Sequence, residues 1–154
     1  MSRTASRRDT YDVARKNKNT GEIMTDVMSA WAPRVLSVLR LVAGLMIIEH
    51  GMSKLFGWPV VPAFAQLKLF SLLGLAGVIE TVGGALLILG LFTQPAAFIL
   101  SGEMAVAYFL VHEPRSFFPL TNGGALAIIY CFAFLYLSTA GGGPWSLDAA
   151  MKKA

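Results

Sequence analysis

The stretch LFSLLGLAGVIETVGGALLILGLF, residues 69–92, decides the fold of this chain. Glu80 is its single charged residue, and nearly all its other side chains are apolar or small. An α-helix needs about 20 predominantly apolar residues to cross the hydrocarbon core of a bilayer, which is roughly 30 Å thick. The stretch therefore predicts a transmembrane helix over Leu69–Phe92, which we call span two.

The composition of the whole chain agrees with a membrane location. Hydrophobic residues make up 55% of the 154 residues, charged residues make up 14%, and the mean hydropathy is +0.60. A soluble domain usually has about 25% charged residues, and one of this length cannot bury so large an apolar fraction. Composition therefore indicates a single-domain integral membrane protein.

Three further apolar blocks predict three more spans. Residues 93–95 form a tight turn after span two, so the next helix must return antiparallel beside it. Spans three and four are short, close to the lower limit of about 17 residues for a crossing. Four alternating spans predict an all-α membrane protein, an antiparallel four-transmembrane-helix bundle. The predicted bounds are Pro33–Phe56 for span one, Ala96–Val111 for span three and Gly123–Thr139 for span four.

The cations are distributed unevenly between the two sides of these spans. Nine of the 13 Lys and Arg residues lie in or beside the terminal segments, and three lie on the opposite side. This asymmetry predicts that both termini are cytoplasmic. We expect a disordered basic cytoplasmic tail at 1–30, a four-helix membrane domain at 31–148 and a short cytoplasmic tail at 149–154. Because no aromatic residues alternate with the basic ones, the expected partner is membrane lipid and not nucleic acid.

Several ionisable side chains lie inside the predicted spans. Glu80 and Glu103 fall near the middle of spans two and three, where an ionised carboxylate costs about 3 kcal/mol on insertion scales. Each is expected to be neutral, paired or facing a wet cavity, and Arg40 of span one is the expected cationic partner. His50 and Lys54, four residues apart, share one face of span one. Arg40 lies fourteen residues before Lys54, close to four full turns, and belongs to that face too.

His112 and Asn122 extend this polar set at the outer ends of spans three and four. Ionisable groups inside a membrane indicate function by default, so the set predicts a site that binds or relays something. The alternative is structural, because buried ion pairs also fix how helices associate. Glu49 lies off the shared face, so we expect it to point toward a neighbouring subunit of a homo-oligomer or toward an interface.

The sequence contains no ligand set for a metal or a bound cofactor. The single cysteine, Cys131, excludes an internal disulfide, a CxxC redox pair and a zinc cluster. No glycine-rich nucleotide-binding pattern is present either. Cys131 and Tyr130 are expected to be packing residues. We therefore expect no metal site, and the residues that would bind a cofactor stay unknown at this point.

Three stretches carry a resemblance to a known family: LRLVAGLMIIEHGMSKLFG (39–57), GVIETVGGALLILGLFTQPAA (77–97) and FFPLTNGGALAIIYCFAFLYLSTAGGGPWSLD (117–148). Together with Glu103 and Met104 they resemble the DoxX family of small bacterial membrane proteins. The resemblance implies a four-helix bundle in the bacterial plasma (inner) membrane. It also implies an oxidoreductase role, because relatives resemble the membrane subunit of thiosulfate:quinone oxidoreductase and are linked to thiol and oxidative-stress systems.

The chain departs from the family pattern at one position. Many similar members have a Glu directly after the Asn-Gly-Gly of residues 122–124, where this chain has Ala125. The change removes a carboxylate from the outer entrance of span four. It leaves open how much of the family's site this chain retains.

Two hypotheses for function follow. In the first, the chain is a quinone-linked oxidoreductase subunit or a related redox and stress factor, in which Glu80 and Glu103 exchange protons as catalytic groups. Arg40, His50 and Lys54, with His112 and Asn122, would bind an anionic substrate or a quinone headgroup. Quinone is then a substrate, and electrons come from a partner redox protein. In the second, the chain is a small-molecule transporter or a membrane assembly scaffold with no catalysis.

Overall fold

The computed structural model describes residues 20–65 and 67–153, and this part of the chain contains helices and loops with no β-strand. The chain divides into two units at Pro33, of which the first, in its described part, is the helical segment 20–33. The second unit, from Arg34 on, contains the rest of that first helix and all the later helices. The helices are α1 Thr20–Phe56, α2 Leu72–Leu89, α3 Thr93–Ala107, α4 Pro119–Asn122, α5 Ala125–Ala140 and α6 Leu147–Met151.

Within the described residues, three helical segments are long and apolar enough to cross a membrane: Gly21–Phe56, Leu72–Leu89 and Thr93–Arg115. Ala125–Ala140 is a shorter apolar helix. Large apolar side chains are exposed on these helices, for example Phe98 at 66%. Lipid solvates such a surface at little cost, whereas water does not. The prediction of an all-α membrane protein is confirmed.

The first helix begins earlier than predicted. Pro33 was expected in the first turn of span one, but it lies inside α1, which begins at Thr20. Extending an existing helix needs no new nucleus, and an internal proline removes one backbone hydrogen bond without necessarily ending the helix. Residues 20–30, expected to belong to a disordered tail, are therefore helical. Residues 1–19 of that predicted tail lie outside the described residues.

The expectation that span three is short is wrong, because the helical segment Thr93–Arg115 has 23 residues. Its start is earlier than predicted, since Pro95 occupies the first turn, where a missing N–H costs nothing. At its other end α3 continues as a π-helical turn, Tyr108–His112, and a 3-10 turn, Glu113–Arg115. The predicted end at Val111 therefore falls inside the π turn.

Span two is shorter than predicted because local caps limit it. Ser71 precedes α2, and its hydroxyl accepts a hydrogen bond from the N–H of Gly74 at 3.2 Å. Gly90 ends the helix with a left-handed φ of 67°, which glycine adopts without strain. The bounds thus shrink from the predicted 69–92 to Leu72–Leu89, and the predicted tail from 149 onward begins inside α6.

The helices pack closely through glycines. A Cβ atom at Gly51 of α1 would lie 2.6 Å from the backbone N of Thr81 in α2, and one at Gly84 would lie 2.8 Å from Cβ of Ile48. Such small-residue contacts allow close helix approach in lipid. Helix α3 packs against α2 and along α5. The buried core consists of Ala43, Ile47, Leu87, Ala97, Leu100, Met104, Tyr130, Phe134 and Leu137.

Candidate functional site

A buried ion pair joins α1 to α2. The ammonium of Lys54 donates to both carboxylate oxygens of Glu80, each at 2.7 Å. The exposed fractions of the two side chains are 8% for Lys54 and 1% for Glu80. The Lys54 ammonium also lies 5.5 Å from the ring centroid of Phe64, which follows α1 in a short 3-10 turn. The attraction between the two groups offsets the cost of removing both charges from water, so each group holds the other in place.

Glycines explain why this pair forms near the C-terminal end of α1. Because Gly51 and Gly77 let α1 and α2 approach closely, Lys54, three residues after Gly51, reaches Glu80, three residues after Gly77. The expectation that Arg40 pairs with the span carboxylates is wrong for Glu80. Its partner is Lys54, which the sequence had placed in the binding set.

A cavity of about 320 Å³ opens beside this pair. The ion pair and the cavity lining consist mainly of residues from α1, α2, the end of α3 and α5. A volume near 300 Å³ is at the lower end of the range for small-molecule sites. Four of the predicted site residues line this cavity: His50, His112 and the two members of the ion pair. Its polar lining is His50, Lys54, Glu80, His112, Arg115 and Tyr130.

The two histidines of the cavity are oriented by backbone carbonyls. Nδ1 of His50 lies 2.9 Å from the carbonyl oxygen of Met46, and Nδ1 of His112 lies 3.1 Å from that of Asn122. A carbonyl oxygen accepts but never donates, so each Nδ1 carries the proton. In the neutral ring, Nε2 of each histidine is then a hydrogen-bond acceptor.

Tyr130 is the cavity residue whose role was missed by the sequence analysis. It packs as expected, with its ring stacked on Phe134 at a centroid distance of 5.4 Å and edge-on to His50 at 6.3 Å. However, its hydroxyl is buried and has no hydrogen-bond partner among the described residues. Buried hydroxyls normally find a partner. The signal available in the sequence was weak, since a lone tyrosine in an apolar helix is ordinarily a packing residue.

Glu103 lies in a second cavity, an apolar cleft of about 260 Å³. Lys54 lines this cleft as well as the polar cavity. Oε2 of Glu103 is buried and has no hydrogen-bond partner in the described part of the chain. The carboxylate interacts electrostatically with Glu80 and Lys54. The structure therefore brings Glu103 near the ion pair without making it a member of the pair.

Arg40 lies elsewhere, and the structure does not bring it together with His50 and Lys54. Fourteen residues of helix place it about 21 Å from Lys54 along α1. Its guanidinium is fully buried and donates to backbone carbonyls: Nε to Gly142 at 2.9 Å, and Nη1 to Ile88 at 2.8 Å and also to Leu87. Nη2 donates to Trp145 at 2.8 Å. Arg40 thus connects the end of α2 to the loop before α6.

Asn122 also has a local structural task. Its side-chain amide donates to the carbonyl of Ser116 at 2.8 Å, and its side-chain oxygen accepts from the N–H of Gly124 at 2.6 Å. It is buried, but it does not line the polar cavity. Ala125 is exposed at the first position of α5 and does not line the cavity either. The absence of a carboxylate at position 125 therefore does not change the lining of this cavity.

Asp148 is a structural residue that the sequence analysis did not single out. Its two carboxylate oxygens accept from the N–H groups of Phe92 and Thr93, each at 2.9 Å, at the start of α3. Burial alone would raise the pKa of Asp148, but these backbone hydrogen bonds and nearby Lys152 outweigh burial and hold the pKa below its usual value. The partners are 55 and 56 residues away, so no local pattern reveals the contact.

The family model described as DoxX matches residues 35–113, about half of the chain. The chain belongs to the DoxX family. An uncharacterized protein of Haemophilus influenzae is 45% identical over 125 residues, covering 79% of this chain and 93% of that relative. An uncharacterized membrane protein of Mycobacterium tuberculosis is 26% identical over 150 residues, covering 82% of this chain and 87% of that relative. No solved structure matches the chain significantly.

The predicted family is thus confirmed. The matched residues 35–113 include both members of the ion pair, all the residues that line the apolar cleft and most of those that line the polar cavity. The relatives' names describe no activity for this DoxX site. Among residues 20–65 and 67–153, no three His, Cys, Asp or Glu side chains are grouped so that they could hold a metal ion.

Proposed function

We propose that this DoxX protein is the quinone-binding membrane subunit of an oxidoreductase, with the quinone ring in the polar cavity. One observation carries the proposal: the cavity combines a buried Lys54–Glu80 ion pair with the buried, unsatisfied hydroxyl of Tyr130. A purely structural ion pair needs no adjoining cavity of about 320 Å³. An unsatisfied hydroxyl on the same cavity wall supports a ligand that accepts its hydrogen bond.

The donors and acceptors of the cavity suit both redox states of a quinone. A quinone offers two carbonyl oxygens, which accept hydrogen bonds from the Tyr130 hydroxyl and the Lys54 ammonium. A quinol offers two hydroxyls, which donate to acceptors such as Nε2 of His50 and Nε2 of His112. The groups that bind the quinone thus differ from the groups that bind the quinol. A site with partners for both redox forms can accept the substrate and accommodate the product, as turnover requires.

Reduction of one quinone to one quinol takes two electrons and two protons. The described chain holds no redox cofactor motif, so in this proposal both electrons come from a reduced partner redox protein. Glu103, in its neutral form, donates one proton, the Lys54–Glu80 pair releases the other, and both protons are replaced from bulk water. The catalytic groups are therefore Glu80 and Glu103, while His50, Lys54, His112 and Tyr130 bind the ring.

The topology belongs to the same proposal. We place four antiparallel spans, with α5 as the fourth, in the plasma (inner) membrane of a bacterium and both termini in the cytoplasm. The excess of Lys and Arg near the termini supports this orientation. Alkaline phosphatase fused after Lys153 should be inactive, and the same reporter inserted after Trp58 should be active. The reverse pattern would contradict the orientation.

Glu49 supports a homo-oligomer as the working form. It is exposed on α1 beside Leu45 and Met46, whose apolar side chains are 51% and 42% exposed. A carboxyl group on a lipid-facing surface is costly. A second copy of the chain removes this cost, because the two Glu49 carboxyls can then hydrogen-bond to each other. Mass measurements in nanodiscs should show an oligomer for the wild type and Glu49→Gln. Glu49→Leu should be monomeric, and an unchanged oligomer would exclude this interface.

The central experiment is quinone binding by the purified protein in nanodiscs. The probe is a dimethoxy-methyl-benzoquinone ring, and the variant is Tyr130→Phe, which removes the unsatisfied hydroxyl and nothing else. Losing one hydrogen bond of this type should weaken binding about tenfold. The matched control is Tyr136→Phe on the same helix, whose exposed hydroxyl does not line the cavity. No binding by the wild type, or equal affinity of both variants, would overturn the proposal.

A further inference from the structure

We infer that the ligand of the polar cavity is an amphiphile whose apolar chain lies in the cleft between α2 and α3, so that it arrives laterally from the lipid. The inference rests on the proposed function, because it names the substrate class of the same site: a quinone that bears a long apolar chain. It adds where the chain lies and by which route the ring reaches the cavity.

The composition of the cleft is the first observation. The cleft of about 260 Å³ is lined by α2 and the α3 segment, and apart from Lys54 and Glu103 its lining is apolar. Leu75, Ile99 and Leu110 on its walls are 56%, 56% and 58% exposed. In a protein surrounded by lipid, walls that are half exposed and apolar open toward acyl chains. These apolar walls therefore accept an apolar chain at no cost in polar desolvation.

The second observation is that the cleft adjoins the polar cavity. Four residues line both spaces: Lys54, Leu73, Ala107 and Val111. These side chains are all that both walls share, and Lys54 is the polar one among them. A molecule with a polar ring on one side of Lys54 and an apolar chain on the other side would occupy both spaces at once.

The third observation excludes a simple lipid chain as the intended occupant. Oε2 of Glu103 is buried in the otherwise apolar cleft without a hydrogen-bond partner among the described residues. Glu103 lies about 15 Å from the nearer end of its helical segment. A phospholipid keeps its headgroup at the membrane surface, so its acyl chain passing here leaves this oxygen unsatisfied. A quinone ring beside Lys54, at the border between cleft and cavity, brings an oxygen atom to this depth that can share a proton with Glu103.

The test compares two quinones that differ in the chain alone. One is the dimethoxy-methyl-benzoquinone ring without a chain, and the other is the same ring bearing a decyl chain. The variant is Ala76→Phe, because Ala76 lines the cleft and does not line the polar cavity. The matched control is Ala85→Phe, at a similarly half-buried position of α2 that lines neither space. Comparing variants with the wild type cancels the preference of the decyl quinone for lipid.

We expect Ala76→Phe to weaken binding of the decyl quinone about tenfold and to change binding of the chainless ring less than about twofold. Ala85→Phe should change neither. Val106→Phe, on the opposite wall of the cleft, should repeat the result of Ala76→Phe and guards against misfolding of one variant. Equal weakening of both quinones, or no weakening of either, overturns the lateral cleft while leaving the ring site in place. No quinone binding by the wild type overturns the proposed function and the cleft together.

Discussion

The two ends of the helical domain both contain a buried cation, yet they treat it differently. At one end, Arg40 is surrounded by four backbone carbonyls that its guanidinium satisfies, and Asp148 satisfies two N–H groups in the same region. At the other end, Lys54 and Glu80 satisfy each other, while the Tyr130 hydroxyl and one oxygen of Glu103 stay without partners among the described residues. At the first end, which we call the Arg40 end, the charged groups Arg40 and Asp148 have their partners within the chain, although Thr93 Oγ1 is buried there without one among the described residues. At the second end the unsatisfied atoms belong to side chains that line the polar cavity and the apolar cleft, which leaves hydrogen-bonding capacity for a ligand.

The largest expected effect comes from removing the cation of the Arg40 end. Arg40→Met leaves the carbonyls of Gly142, Ile88, Trp145 and Leu87 buried without their charged donor. Since a hydrogen bond to a charged group is worth about 1.5–3 kcal/mol and four such bonds are lost, we expect a loss of about 6 kcal/mol or more in the free energy of unfolding. Thermal unfolding in nanodiscs measures it.

Arg40→Lys is the control, because a lysine keeps the charge but cannot reach all four carbonyls. It should retain part of the stability. A stable Arg40→Met variant that loses quinone binding would reverse the comparison and return Arg40 to the ligand site.

Breaking the ion pair at the second end should have the next largest effect. Glu80→Ala leaves the Lys54 ammonium buried and unpaired, which costs about 3–5 kcal/mol for a buried pair. The double variant Lys54→Met with Glu80→Met replaces both charges by apolar groups and should recover most of the stability. It should not recover quinone binding. Recovery of both properties would mean that the pair serves folding alone.

Tyr130→Phe sharpens the comparison by separating stability from binding. Because its hydroxyl has no partner among the described residues, removing it should leave thermal stability unchanged or slightly raised. Quinone binding should fall about tenfold, as stated for the central experiment. A substantial loss of stability instead would show that the hydroxyl already has a structural partner, and the second end would then resemble the first.

The smallest effect concerns how the stability of the Arg40 end depends on pH. The pKa of Asp148 is lower in the folded than in the unfolded chain, so its stabilisation is fully present above the unfolded value of about 3.9. That stabilisation is lost as the pH falls through the lowered folded pKa. The difference in thermal stability between the wild type and Asp148→Asn should therefore be constant above about pH 5 and disappear in stronger acid. A difference that persists in acid would contradict this assignment.

Sequence patterns predicted the parts of this fold that depend on composition along one segment. The apolar blocks predicted the membrane helices. Span ends were less predictable, because caps such as Gly90 and the extension of α1 through Pro33 are decided by a few atoms. Family membership was also readable, since the order of polar residues is a linear pattern.

The candidate site was predictable in its members more than in its arrangement. Glu80, Glu103, His50 and Lys54 stand out because charged and polar groups are costly in lipid. Which of them meet depends on the rotation of each helix about its axis, and the sequence does not contain that angle directly. For the same reason the shared face of span one suggested that Arg40 joins Lys54, although their depths separate them.

The π turn Tyr108–His112 has a consequence for how this site tolerates changes in chain length. A π turn contains one residue more than an α turn over the same path, and an α-helix rotates by about 100° per residue. Deleting a single residue from 108–111 would let the segment close as a regular α-helix over the same path, so His112 would still face the cavity, whereas the same deletion within Thr93–Ala107 would turn His112 away by roughly that angle. The π turn is therefore the place in this segment where the loss of one residue is tolerated.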